Sequence, residues 1–200
     1  MSFLKAASVC RALYMGHGVV VYYVTLQNYF AEEQREREQG QVAELNLRLV
    51  RDDDAEGLIA LIGGIFSEYE GVYLEPDDLD SDLQAYKTYM DSQGGEGFVI
   101  DGDGKLLACV SYCPIEGDRY QLKRIYLSKD LRGSGMGLKL LHYVEDRARA
   151  RGAKSMELWS DTRFTRAHSF YEREGYVKQA ETRDLHDSSN TTEYQFIKAL

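Results

Sequence analysis

The chain has 200 residues, enough for one well-buried domain with an extension, and 44% of them are apolar, which excludes a disordered protein. A formal net charge of −9 argues against a domain that holds nucleic acid through its phosphates, since such domains carry a basic excess. Three cysteines and no short-spaced Cys/His cluster point away from a zinc or other metal site and toward a reducing, cytoplasmic compartment.

Residues 1–44 read as an N-terminal extension. Two basic residues precede an apolar run from Ala12 to Leu26, but 15 residues are too short to span ~30 Å of hydrocarbon as a helix. No small-residue cleavage site clearly follows, so neither export nor a membrane anchor is expected. Val19 to Leu26 is rich in β-branched and aromatic residues and reads as an extra strand; 31–44 reads as a solvated charged linker or helix.

From residue 45 the pattern alternates. NLRLVR (46–51) is a short strand, and Asp52 to Asp54 can cap a helix over 55–69, where Leu58, Ile59, Ile62, Ile65 and Phe66 fall at helical spacing. A second helix is predicted over 79–90. Asp-Gly-Asp-Gly between the two apolar runs of 97–114 signals a hairpin. Within it Cys109 and Cys113 share a face about 13 Å apart, too far to bridge, and read as core residues. A strand over 120–127 leads through a glycine-rich turn into a helix from about 135 to 151, which Gly152 ends. A strand (155–160), a helix (164–174) stopped by Gly175, and a closing hairpin (177–185 with 192–200) complete one α/β domain over 45–200 with a mixed sheet.

The glycine-rich turn is RGSGMG (132–137). A dinucleotide fingerprint would need glycine at 138, where Leu138 stands, and no P-loop string exists. The remaining match is [QR]-x-x-G-x-[GA], met by Arg132, Gly135 and Gly137. Together with LKRIYLSKDL before it, the amphipathic helix after it and HSFYEREGY (168–176) further on, it resembles the GNAT family of acetyl-CoA-dependent N-acetyltransferases. Free N–H groups and the dipole at a helix start attract phosphate, and glycines let it approach the backbone.

The resemblance implies a mixed, mostly antiparallel, twisted sheet of six to seven strands flanked by helices. It implies acetyl-CoA as co-substrate, no metal, and direct transfer to a primary amine in a ternary complex. The CoA pyrophosphate would lie on the backbone of Arg132, Gly133, Ser134, Gly135, Met136 and Gly137, with room for Ser134 to add a hydroxyl and Arg132 a charge. The cofactor arm would run along Ile125, Tyr126 and Leu127, the Ile125 N–H polarising the thioester carbonyl. Tyr171 falls where many members keep the tyrosine that protonates the departing thiolate.

The sequence departs from the family at two places. Where members with a base on this strand carry glutamate, this chain has Gln121, which cannot accept a proton but can orient a water. Another carboxylate, a water relay or an acceptor with a depressed pKa then serves; Glu157 and Asp161 are the candidates, ahead of Glu68 and Glu70. The asparagine often found seven residues before the tyrosine is Phe164 here.

For the acceptor, the resemblance points to Tyr69, Tyr73, Tyr112, Gln121 and Arg183 between the first helices and the closing hairpin. A small amine or amino-acid-like metabolite is the expected partner, with no nucleic acid or membrane, and a homodimer left open. The alternatives are a non-catalytic acyl-CoA-binding regulatory module and a protein or peptide N-acetyltransferase.

Overall fold

The computed structural model describes residues 46–200; the expected extra strand and linker of residues 1–44 lie outside the described residues. Seven strands form one sheet in the order β1-β2-β3-β4-β5-β7-β6: β1 (Leu47–Leu49), β2 (Glu96–Gly102), β3 (Lys105–Pro114), β4 (Arg119–Leu127), β5 (Ser155–Asp161), β6 (Val177–Asp184) and β7 (Thr192–Ala199). All neighbours are antiparallel except β4 and β5. Helices α1 (Ala55–Phe66), α2 (Tyr86–Ser92), α3 (Met136–Ala150) and α4 (Thr165–Arg173) flank the sheet. No helix among the described residues is long and apolar enough to cross a membrane.

Local chemistry explains most boundaries. Asp103 and Gly104 sit at φ 49° and 80°, the left-handed pair that a two-residue hairpin turn demands, so β2 and β3 fold back there. Leu58 and Ile62 of α1, Leu83, Tyr86 and Met90 pack with Val99, Cys109 and Cys113 on one face of the sheet. Leu140, Leu141, Val144 and Ala148 of α3 are buried toward the other, each leucine contributing about 1.5–3 kcal/mol. Burial pushes the Cys109 thiol up to about 12, which leaves it an inert core group.

Two predicted helices are shorter than their periodicity. The first ends at Phe66 rather than 69, and Glu68 beyond it turns to meet Arg132. The second is a 3-10 turn over Ser81–Ala85 and then α2, broken at Ala85 (φ −144°). The break lets Asp80 and Asp82 reach the buried Arg124 of β4 while Tyr86 hydrogen-bonds Ser111 at 2.6 Å. Both are tertiary demands that a local apolar period does not carry.

Candidate active site

The parallel pair β4 and β5 is hydrogen-bonded only at its start, where Arg119, Tyr120 and Gln121 lie opposite Ser155, Met156 and Glu157. β3 continues to pair with β4 as far as Leu127, across a bulge at Lys123, and β7 pairs with β5 as far as Asp161. The two strands therefore part beyond Gln121 and Glu157, and a cleft of about 800 Å³ opens there. Of the expected residues, Tyr69, Tyr73, Gln121, Ile125, Tyr126, Leu127, Arg132, Gly133, Gly135, Gly137, Asp161, Tyr171 and Arg183 line it.

The glycine turn opens the start of α3 toward the cleft. Gly133 and Gly135 have φ 76° and 83°, which residues with a Cβ rarely adopt, and Gly135 leads directly into α3. In the first turn of α3 the N–H groups of Gly137 and Leu138 donate to no acceptor among the described residues, and both residues line the cleft. A Cβ on Gly137 would meet only the Leu127 methyls, at 3.9 Å. Packing thus leaves room for a side chain that the sequence omits, at the point where a pyrophosphate would come closest. The residues present fit that group.

Two details of the turn differ from expectation. Arg132 does not offer its charge to the cleft: its guanidinium forks onto Glu68 at 2.7 and 2.8 Å, and its Nε bonds the Leu127 carbonyl at 3.1 Å. It braces the turn between the end of β4 and the residues after α1. The Arg132 hydrogen bond holds Glu68 below its usual carboxylate range, which makes it a weaker proton acceptor. Ser134 spends its hydroxyl proton on the Leu131 carbonyl at 2.7 Å, and neither Ser134 nor Met136 lines the cleft.

Tyr171 reaches the cleft from α4. Its ring packs on Phe170, Tyr176 and Phe196, and burial raises the phenol above its ordinary 10.0, so it stays protonated. The hydroxyl makes no hydrogen bond among the described residues, and Tyr171 lines the cleft.

Neither Glu157 nor Asp161 stands free. Asp161 lines the cleft, but Arg163 grips both its oxygens at 2.6 to 3.1 Å. Glu157, opposite Gln121 in register, accepts from Trp159 and Gln195 at 3.2 Å, pairs with Arg119 at 3.4 Å, and does not line the cleft. Tyr112 requires a correction. It is fully buried beneath α3, with its hydroxyl on the Glu96 carboxylate that Arg147 also holds, and lies away from the acceptor side. Strand alternation explains this, because its neighbours Ser111 and Cys113 are the ones turned toward α1 and α2.

The part of the cleft between α1 and the closing hairpin is aromatic and bipolar. Phe164 fills the space between Phe66 and Tyr69, with ring centroids 5.8 and 4.6 Å away. The Arg183 guanidinium lies 4.5 Å over the Trp159 ring and pairs with Glu193 at 2.6 Å. Sequence reasoning missed Arg124 and Arg163. Arg124 is 11% exposed, gives one nitrogen to Asp80 and Asp82, and keeps its Nε buried without a partner. Arg124 meets Asp80 and Asp82, which lie far back in the chain, and Arg163, whose carboxylate partner Asp161 is close in sequence, finds Gly71, Ser189 and Thr191 at distant positions, so no local pattern announces either role.

Comparison with known proteins agrees with this geometry. The model of the acetyltransferase (GNAT) family matches residues 61–176. The uncharacterized N-acetyltransferase YhfO of Bacillus subtilis is 27% identical over 138 residues, covering 66% of this chain and 89% of the relative. The L-methionine sulfoximine/L-methionine sulfone acetyltransferase of Pseudomonas aeruginosa is 28% identical over 111 residues, covering 52% of this chain and 63% of that protein. Among solved structures, a GNAT-family acetyltransferase of Staphylococcus aureus superposes with a TM-score of 0.65 at 19% identity, covering 77% of this chain and 99% of the other.

Proposed function

The chain belongs to the GNAT family and is an N-acetyltransferase, and we propose that its acceptor is the primary amine of a small, amino-acid-like metabolite. Acetyl-CoA, the family's donor, would enter between the parted β4 and β5. One observation carries the reading: the residues of the unbonded first turn of α3, the open edge of β4 and Tyr171 all line one cleft.

The chemistry follows from those positions. The N–H groups of Gly137 and Leu138, with the α3 dipole, hold the pyrophosphate and so fix the thioester along β4. The backbone of Ile125 stands where a donor would stabilise the carbonyl oxygen as the amine attacks. The C–S bond then breaks, and Tyr171 gives its proton to the leaving thiolate. A protonated alkylamine is unreactive, so the acceptor must lose a proton first. Gln121 lines the cleft and faces Glu157 across the strand pair, which supports a water held by the Gln121 amide as the proton's way out.

Two features support an amino-acid-like acceptor. The lining carries both charge signs, with Arg124 and Arg183 beside Glu75, Asp80 and Glu193, which suits a zwitterion. The Pseudomonas relative is named for acceptors built on an amino acid. The deciding experiment is thiol release from acetyl-CoA with a panel of amino acids, polyamines, aminoglycosides and peptides, with calorimetry of acetyl-CoA binding alongside. Turnover with free amino acids or their analogues supports the reading. Tight acetyl-CoA binding with no acetylation of any amine would make the protein an acyl-CoA-binding module instead.

A further inference from the structure

We infer that Arg163 is a specificity-determining residue: it ties two loops into a fixed wall along the acceptor side of the cleft and so restricts the acceptor to short, free amines. The inference rests on the transfer reaction proposed above. Arg163 stands two residues beyond the end of β5, and all five of its N–H donors are used. Nε and one terminal nitrogen hold the Asp161 carboxylate at 2.6 to 3.1 Å. That terminal nitrogen also reaches the Thr191 hydroxyl at 2.9 Å. The other donates to the Gly71 carbonyl at 3.0 Å and the Ser189 carbonyl at 3.1 Å. Gly71 belongs to the segment after α1, whereas Ser189 and Thr191 belong to the tip joining β6 to β7. One planar guanidinium, itself anchored on Asp161, therefore joins two segments more than a hundred residues apart in the chain.

The joint continues along both segments. The Tyr73 N–H donates to the Ser189 hydroxyl at 2.9 Å, and the Ser188 N–H donates to the Glu75 carboxylate at 3.1 Å. Ser189 and Thr191 are each only 6% exposed, although both are polar and sit at the tip of a hairpin. Such burial is costly without partners, so the tip is docked rather than free. Tyr73 and Glu75 on one side, and Leu185, Asp187 and Thr191 on the other, line the cleft. The bonded loops thus form one wall of the acceptor compartment. An extended peptide lying across the site would have to part them, whereas a free amino acid would not.

The test uses the best free amine from the panel and a hexapeptide bearing the same residue at its N-terminus. Arg163→Lys keeps a cation beside Asp161 but lacks the fork that reaches Gly71, Ser189 and Thr191. Ser189→Gly with Thr191→Val loosens the same joint and leaves the Asp161 pair intact. The parent should favour the free amine, and both variants should raise the peptide-to-amine ratio of kcat/KM about tenfold with acetyl-CoA affinity unchanged. Folded variants with an unchanged ratio, or a parent that acetylates the peptide as well as the free amine, would overturn the inference. A parent that acetylates no amine defeats the transfer reading separately, and the wall is then judged by water. A loosened wall admits water to the thioester carbonyl, where C–S cleavage gives acetate and the CoA thiol. That hydrolysis should rise about threefold in Arg163→Lys, and no rise counts against the wall.

Discussion

Gly137→Ala should move stability and cofactor binding in opposite directions. In the folded chain the new methyl meets nothing closer than the Leu127 methyls at 3.9 Å, an ordinary contact. Replacing glycine by alanine in a helix gains about 0.5–1 kcal/mol, with the lower figure apt for a first turn. For a domain of this size that corresponds to a rise in Tm of about 1–2 °C. The same methyl occupies the space at the unbonded N–H groups of the cradle. Pushing a pyrophosphate outward by about one carbon weakens one or two hydrogen bonds to a charged group, each worth about 1.5–3 kcal/mol, so Kd for acetyl-CoA should rise roughly 10- to 100-fold. Thermal unfolding without ligand gives the first quantity and calorimetry with acetyl-CoA the second. A stabilised variant with unchanged affinity would refute the cradle, because the phosphate would then not approach Gly137. A destabilised variant would refute the packing at Leu127 on which the sign rests.

The remaining predictions concern the proton donor, the brace of the glycine turn and the buried thiol. Tyr171→Phe should lower kcat about tenfold or more in steady-state assays, with little change in acetyl-CoA affinity; unchanged turnover removes the acid role. Glu68 has its carboxyl held below the ordinary 4.5 by Arg132, so the brace is intact above that pH and is lost as pH falls through the depressed value. The affinity for acetyl-CoA should therefore weaken at acid pH in the parent beyond the weakening in Glu68→Gln, where that charge no longer titrates; identical acid limbs by calorimetry would discount the brace. Cys109, only 2% exposed and with its thiol pushed up to about 12, should resist a maleimide until the domain unfolds, as mass spectrometry at increasing urea would show.

The parts of this protein that its sequence determines are those written in neighbouring residues. Asp103-Gly104 sets a hairpin because the left-handed pair of φ values at 49° and 80° needs such residues. The spacing of Leu140, Leu141, Val144 and Ala148 sets a helix, and the glycines at 133 and 135 mark a tight strand-to-helix turn because chain flexibility and a helix start are local properties. The helix that carries Tyr171 was legible for the same reason, inside a contiguous motif. Tertiary structure decided everything that depends on distant partners. Arg132 looked like a phosphate ligand until Glu68, 64 positions away, claimed its fork. Tyr112 looked like an acceptor contact until strand alternation turned it under α3, onto Glu96. Arg163, already beside Asp161 in sequence, gained its role only when Gly71 and the Ser189 tip met it. A side chain's own chemistry is fixed by its residue type; which charge it meets is fixed by folding, through contacts that no local period encodes.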